Sequence, residues 1–590
     1  MKNRKKIRYA ALLGCLALGT TLTSCNDWLT LYPMDKIVEE SFWEDKKDLE
    51  SVRNAAYVNM TSNDCMERYL VWGELRADNF DKNANNSDIP TAMQDILSVN
   101  LKPSNNYFNW SSFYATINYC NKVLQHGPEI LEKDKSFSQA EWEGMRAEMI
   151  ALRALNYFYL IRTFDEVPMV FTAINDDSEV STLKATPQAV LLDSLVNQLE
   201  YVTTTNMTQN YGNSADNRGL ITDKAVHTIL ADLYLWRGSY YETRDKAKAD
   251  SNYQACVNHC DKVIALKNEE YQKNNNGSFP SIGGGIIGGG ASDSDNPYHL
   301  IENIGTDGVG LTTSAYDEIF GDKNSFESIF ELQFDGSVNN NSLVQNCYQK
   351  PDKVGYFVPS SIATKLSETA DDETNAALYS KTDLRRWATI QSKGEESYAI
   401  VKYTASMIDQ PALKDNNNVT GRYEPTYSLR STANANWIFY RLTDVLLMKA
   451  EAMCMLGTDL KGAFDLVKAV YNRSNPYAQG ESGLSEENAA TQEALEGLIL
   501  RERNRELFGE GKRWFDLLRY AMRKGDEEGP SKAFEIFGKK FVGTQASTAR
   551  NKYQQSIKVM YSPYTESEMK ANPELVQNPI WDDQSTIQKK

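Results

Sequence analysis

The chain has 590 residues and carries 80 acidic against 63 basic side chains, a net charge of −17 at neutral pH. That balance excludes nucleic acid and an anionic membrane face as natural partners. Six cysteines between Cys65 and Cys454 are too few and too scattered for a disulfide framework.

Lys2, Arg4, Lys5, Lys6 and Arg8 precede an uncharged, mostly apolar run from Ala10 to Leu22, which ends in Leu22-Thr23-Ser24-Cys25. This run is too short to span a bilayer, which takes about 20 apolar residues as a helix, and reads as an export signal over residues 1–24. Its ending resembles the lipobox of bacterial lipoproteins, in which the cysteine is diacylated. Cys25 is then the lipidated residue one, with palmitate-like chains as a stable anchor. Removing five basic residues with the signal takes the net charge from −17 to −22.

Apolar residues at helical spacing predict helices over Asp45 to Thr61, Trp110 to Leu124 and Glu143 to Arg162. The last is apolar on most sides and belongs inside the protein. Its Arg146 and Arg153 share a face from which they can reach neighbouring carboxylates. Further helices are predicted from Pro187 to Tyr201, Thr222 to Arg237 and Tyr253 to Leu266, with Ala225, Ala231 and Gly238 as small residues at crossings. Such pairs resemble tetratricopeptide units without a fixed period.

Asn274 to Gly310 is rich in Asn, Gly and Ser and reads as a long loop. Ser328 to Phe334 and Tyr398 to Tyr403 read as short strands. Helices return at Trp437 to Leu456, Lys461 to Tyr471, Gln492 to Phe508 and Gly511 to Met522, followed by a polar tail. The mature chain, 25–590, is therefore one unit. It has an N-terminal helical part to about 270, a loop-rich ligand-side region 271–436, a C-terminal helical part 437–525 and the tail 526–590.

Five segments together resemble the SusD/RagB family of outer-membrane nutrient-binding lipoproteins. They are the lipobox with Phe42-Trp43; Trp110 with Tyr114, Ile117 and Asn121; and Arg146-Ala147-Glu148 through Arg153 to Val167-Pro168. The others are the run Arg441 to Glu451, and Arg501 to Leu507 leading into Glu510-Gly511-Lys512-Arg513-Trp514. Asp165-Glu166 stands where the family usually has a glycine. The resemblance implies a mainly α fold of tetratricopeptide-like helix pairs with long loops and a few short strands. It also implies a place on the cell surface at the outer membrane and a SusC-like, TonB-dependent barrel as partner. The implied activity is capture of oligosaccharides or, in some members, peptides, without catalysis. A scaffold that binds only proteins is the other reading.

Arg503, Glu506, Glu510 and Arg513 suit an ion-pair network bracing helix ends better than an acid/base pair. Glu510-Gly511-Lys512-Arg513 lacks the first glycine and the Ser/Thr of a phosphate loop. Cys256, His259 and Cys260 lack the further ligands of a zinc site, and Asp293 with Asp295 lacks the remainder of a calcium loop, so no metal or cofactor is expected. With four histidines and no nucleophile elbow, binding remains. Sugar rings stack on aromatic faces while amides and charged groups meet their hydroxyls. Aromatics in polar, loop-like segments are therefore the candidate ligand-binding residues: Trp72, Tyr107, Tyr298, Tyr348 and Tyr356, with Asn79, Asn106 and Asn296.

Overall fold

The computed structural model describes residues 42–175, 182–275, 296–306, 310–367, 377–381, 383–409, 425–475 and 484–582. Cys25 and the export signal, together with Asp293 and Asp295, lie outside the described residues.

Helices carry the fold. The long ones in the first half are α1 (Lys46–Met60), α2 (Ser111–Lys133), α3 (Gln139–Phe164), α4 (Gln188–Thr203), α5 (Asp223–Tyr241) and α6 (Lys246–Asn275). Reciprocal capping boxes, Asp45 with Asp48 and Ser138 with Glu141, open α1 and α3. Each helix packs on the next in sequence, so the apolar stripe of one covers that of its neighbour. Where α5 crosses α6, a Cβ on Gly238 would lie 2.4 Å from the Tyr253 ring, so only glycine admits that approach. Arg146 and Arg153 do not meet carboxylates as expected. Arg153 donates to Asn121 Oδ1 at 2.6 Å and to Gln198, and Arg146 lies 5.1 Å over the Tyr201 ring. The neighbours on that face are amides and rings.

The second half adds α7 (Leu442–Leu456) on α6, α8 (Leu460–Ser474), α9 (Gln492–Leu507), α10 (Arg513–Lys524) and α11 (Gly529–Phe537). Strands are few and paired in twos. β1 (Phe80–Lys82) pairs with β3 (Phe357–Pro359), β2 (Ser328–Leu332) with β6 (Trp437–Arg441), and β4 (Ile390–Gly394) with β5 (Ser397–Ile400), all antiparallel. The predicted helix from Trp437 is thus wrong in its first turn and a half. Trp437 to Arg441 are buried on both faces, and a continuous apolar run of aromatic and β-branched residues carries no period to separate strand from helix.

The stretch read as a polar tail folds back onto the body. Arg76 donates to Met560 O at 2.7 Å, Trp514 Nε1 reaches the same carbonyl at 3.2 Å, and Trp581, Tyr561 and Tyr553 are buried. At the other side of the former loop region, the Tyr271 and His299 rings stack at 3.7 Å and 5°, joining the end of α6 to the chain that returns toward β2. Among the described residues no helix is long and apolar enough to cross a membrane.

Asp165, the departure from the family's glycine, sits at φ 70° and ψ −62°, with Glu166 N–H donating to Phe164 O at 2.9 Å. This is a γ-turn, a strained conformation for a residue with a Cβ. Its carboxylate offsets the strain by accepting from Gln188 on α4 and from Lys558 in the C-terminal stretch. Asp165→Ala keeps the strain and loses both partners, with an expected cost of about 2 kcal/mol in urea unfolding. Asp165→Gly loses the partners but relieves the turn, and its cost should be smaller. Equal costs for the two variants would show that the turn is unstrained.

Candidate functional site

Phe80 and Phe357 stack at 5.7 Å and 7°, and Phe80 meets Phe508 and Tyr348 edge-on. This anchors the β1–β3 ribbon to the core. Because successive strand residues point to opposite sides, the burial of Phe357 turns Tyr356 and Val358 outward. Asn83 extends the ribbon, donating its N–H to Tyr356 O at 3.0 Å and its Nδ2 to Gly355 O at 2.9 Å. Ser360 closes the other end with hydrogen bonds to Asn79 O and Asp78 O.

Between this ribbon and the β4–β5 turn lies an open groove of about 560 Å³. Its floor is Val354, Val358 and Pro359. One wall is Lys82 to Asn85, another is Ser361, Thr364 and Lys365, and the third is Glu396, Ser397 and Tyr398. Tyr398 on β5 is half-buried and lines the groove, while Ala399 and Ile400 beyond it are buried. The Arg386 guanidinium lies 5.7 Å from the Tyr398 ring and 5.2 Å from that of Trp387, which holds the aromatic in place. The groove therefore offers one fixed ring face with ammonium, amide, hydroxyl and carboxylate groups around it. Those are the partners of a polyhydroxylated ligand with apolar C–H faces.

The predicted site residues divide. Asn106 is exposed, and Tyr107 and Tyr356 are half-buried. Tyr356 stands close enough to Tyr107 to act on its phenol, with Glu67 beside both. Burial raises the Tyr107 phenol and, less strongly, the Glu67 carboxyl. The backbone of this rim is fixed by Arg68, which donates to Asn106 O at 3.0 Å, and by Trp72 Nε1, which donates to Tyr107 O at 2.7 Å. Trp72, Asn79 and Tyr348, by contrast, are buried and cannot touch a ligand. Trp72 stacks on Phe113 at 4.6 Å, Asn79 donates to Glu74 at 2.6 Å, and the Tyr348 hydroxyl donates to Gly509 O at 2.6 Å. Their segments are irregular in sequence yet wedged between helices. Asn296 and Tyr298 stand on a different surface: Asn296 is bonded to Leu300 and Glu302, and Tyr298 lies near Lys449 of α7 and Asp261 of α6.

Tyr398 and the polar walls of the groove escaped the sequence reading. The strand reading over Tyr398 to Tyr403 took in Tyr398, but the burial of β5 does not alternate, so no period marks that ring as part of a surface. The other walls come from separate segments with no shared pattern.

The densest charge lies inside the protein. Glu506 accepts from Arg441 and Arg473 on one oxygen and from Arg385 at 3.1 Å on the other. Glu510 accepts from Lys402 at 2.6 Å and from Arg441 at 2.9 and 3.0 Å. Arg503 pairs with Asp444 and Asp516, and Arg513 makes a two-pronged pair with Asp78. All four residues are nearly sealed from solvent, so they form the expected ion-pair network, though it joins distant segments rather than neighbouring helix ends. Cys256 and Cys260 are buried free thiols. Among the described residues no group of three or more His, Cys, Asp or Glu side chains is placed to hold a metal ion.

Two family models match: one described as the SusD family over residues 413–581, the other as starch-binding associating with the outer membrane over residues 22–250. The SusD-like protein P38 of Formosa agariphila is 25% identical over 548 residues, covering 91% of this chain and 94% of its own. Among solved structures, a SusD homolog from Bacteroides thetaiotaomicron superposes with a TM-score of 0.61 at 19% identity, covering 92% of this chain and 100% of its own. A putative sugar binding protein from Bacteroides vulgatus gives 0.59 at 19% identity, with 91% and 99% coverage. Over both matched stretches the chain is thus similar to the SusD/RagB family, and the description of the N-terminal match associates it with the outer membrane.

Proposed function

We propose that the protein is a cell-surface lipoprotein, anchored through Cys25 after removal of residues 1–24, that captures oligosaccharides without cleaving them. It passes them to a SusC-like, TonB-dependent barrel in the outer membrane. The observation that supports capture most directly is the groove, in which Tyr398 is held by Arg386 and surrounded by polar groups. The Tyr107 and Tyr356 rim lies at the outer end of the same β3 strand and extends the surface available to a chain of several sugars.

The test is calorimetric titration of residues 26–590 against plant, host and microbial glycans, with a peptide mixture alongside. A glycan that binds saturably should lose about tenfold in affinity when Tyr398 becomes Ala, since a stacked ring contributes about 1 kcal/mol or more. Helical content should not change. Wild-type affinity in that variant would remove the groove as the binding site, and saturable heat only with peptides would replace the glycan reading. A barrel transporter that fails to co-purify with the acylated protein would count against delivery.

A further inference from the structure

The short helical turn Ser361–Thr364 stands between two spaces. Ser361 and Thr364 line the groove, while Ile362 lines a second cavity of about 290 Å³. That volume lies near the lower limit of small-molecule sites, roughly 300–1,000 Å³, and suits one sugar ring rather than a chain. Leu378 and Ile536 join Ile362 to make one side of it apolar.

Its polar side consists mostly of hydrogen-bond donors. Arg501, Arg505, Arg513 and Lys539 line it together with a single carboxylate, Asp78. That carboxylate is already taken, because Arg513 donates to both of its oxygens at 2.8 and 2.9 Å. Arg505 is engaged as well, by Leu378 O at 2.7 Å and Glu502 at 3.3 Å. Lys539 is exposed and enters no ion pair among the described residues.

Asn504 carries the argument furthest. It lines the same cavity and is only 4% exposed. Its Oδ1 is sealed without a hydrogen-bond partner, and its Nδ2 has no acceptor among the described residues. A buried amide bonded at neither end costs free energy, and such groups are rare in folded proteins. With the oxygen sealed, the amino end is what the cavity can reach, so Asn504 adds another donor beside Lys539.

We propose that this cavity binds a sugar acid, a single uronate ring. Its carboxylate accepts from Asn504 Nδ2 and Lys539, and its C–H face lies on Ile362, Leu378 and Ile536. A ligand here must bring acceptors to one side and an apolar face to the other. Acetate and phosphate bring only the first, and a neutral hexose brings no charge to Lys539. The site lies across the Ser361–Thr364 turn from the groove and does not depend on what the groove holds.

The test is calorimetric titration of residues 26–590 with D-galacturonate and D-glucuronate, and in parallel with galactose, glucose, acetate and inorganic phosphate. One uronate per chain is expected at millimolar affinity or tighter, with each of the other four ligands at least tenfold weaker. Lys539→Gln and Asn504→Leu should each lose at least tenfold, and circular dichroism checks that the helices persist. Because Lys539 is exposed, its variant decides the matter even where Asn504→Leu fails to fold. Unchanged uronate affinity in Lys539→Gln, or a loss in Lys365→Gln on the groove side instead, would overturn the cavity as the site. Galactose or glucose binding as tightly as the uronates would overturn the acidic ligand, and absence of saturable uronate binding would overturn the proposal as a whole.

Discussion

Glu506→Gln is expected to destabilise the protein by about 4 kcal/mol, or to prevent its accumulation in folded form. The substitution keeps the shape of the side chain and removes one charge from among Arg385, Arg441 and Arg473, all buried. Removing one partner of a buried ion pair typically costs about 3–5 kcal/mol, because the remaining charge has no water to solvate it. The pH dependence has a definite sign. Burial alone would raise the Glu506 pKa, but Arg473, Arg441 and Arg385 more than reverse that and hold it well below the ordinary carboxylate value. A carboxyl depressed on folding contributes stability that is fully present above its unfolded pKa of about 4.3 and is lost as pH falls below it. Urea unfolding from pH 7 down to pH 3 should show a steeper decline in the wild type than in the glutamine variant. A variant within 1 kcal/mol of wild type at pH 7 would mean that the network does not require this charge.

Gly73→Ala is expected to cost more than 3 kcal/mol although it adds a single methyl group. Val71 to Leu75 form a widened helical turn laid against the turn at Gly509 to Lys512. Glu74 accepts the N–H groups of Gly509 and Lys512 at 3.2 and 3.3 Å. A Cβ on Gly73 would lie 1.8 Å from Gly511 O, a backbone atom that no side-chain rotation can clear. The turn cannot retreat freely, because Gly511 itself is at φ 72° and faces the Tyr69 carbonyl, and Glu510 beside it holds Lys402 and Arg441. Overpacking of a backbone contact therefore transmits to the buried charges. Gly497→Ala in α9 is the control: its nearest neighbour would be Arg501 at 3.7 Å, and helix propensity predicts a gain of up to about 1 kcal/mol. Comparable losses in both variants would point to general intolerance of substitution rather than to the Gly73 contact.

Helices with a clear 3.6-residue period, such as α1 and α4, were readable to within a few residues, since the period itself reports the buried face, whereas α2 runs nine residues past the predicted end at Leu124. The charge network was readable as a network, because Arg503, Glu506, Glu510 and Arg513 crowd too many charges into an apolar stretch to be independent. Their partners were not: Asp78, Arg385, Lys402 and Arg441 come from distant segments, and nothing in local spacing names them. The strand Trp437 to Arg441 was hidden for lack of alternation. The stretch after residue 526 was hidden because its anchors, among them Tyr553, Tyr561 and Trp581, are single aromatics in polar surroundings. Selecting aromatics by polar context placed Tyr107 and Tyr356 on one surface but also took in Trp72 and Tyr348. That rule measures the neighbours along the chain, whereas burial is decided by neighbours in space.

The stacked rings of Tyr271 and His299 have a consequence for how members of this fold can diverge. The pair pins together two points of the chain, Tyr271 and His299, that are separated by 27 residues in sequence. Once two such points are held, each doubling of the enclosed length adds only about 0.6 kcal/mol of closure entropy. A change in the length of the chain between the two rings therefore adds little to the cost of closing it. The clamp makes the closure entropy of the helical frame nearly insensitive to the length of chain it encloses.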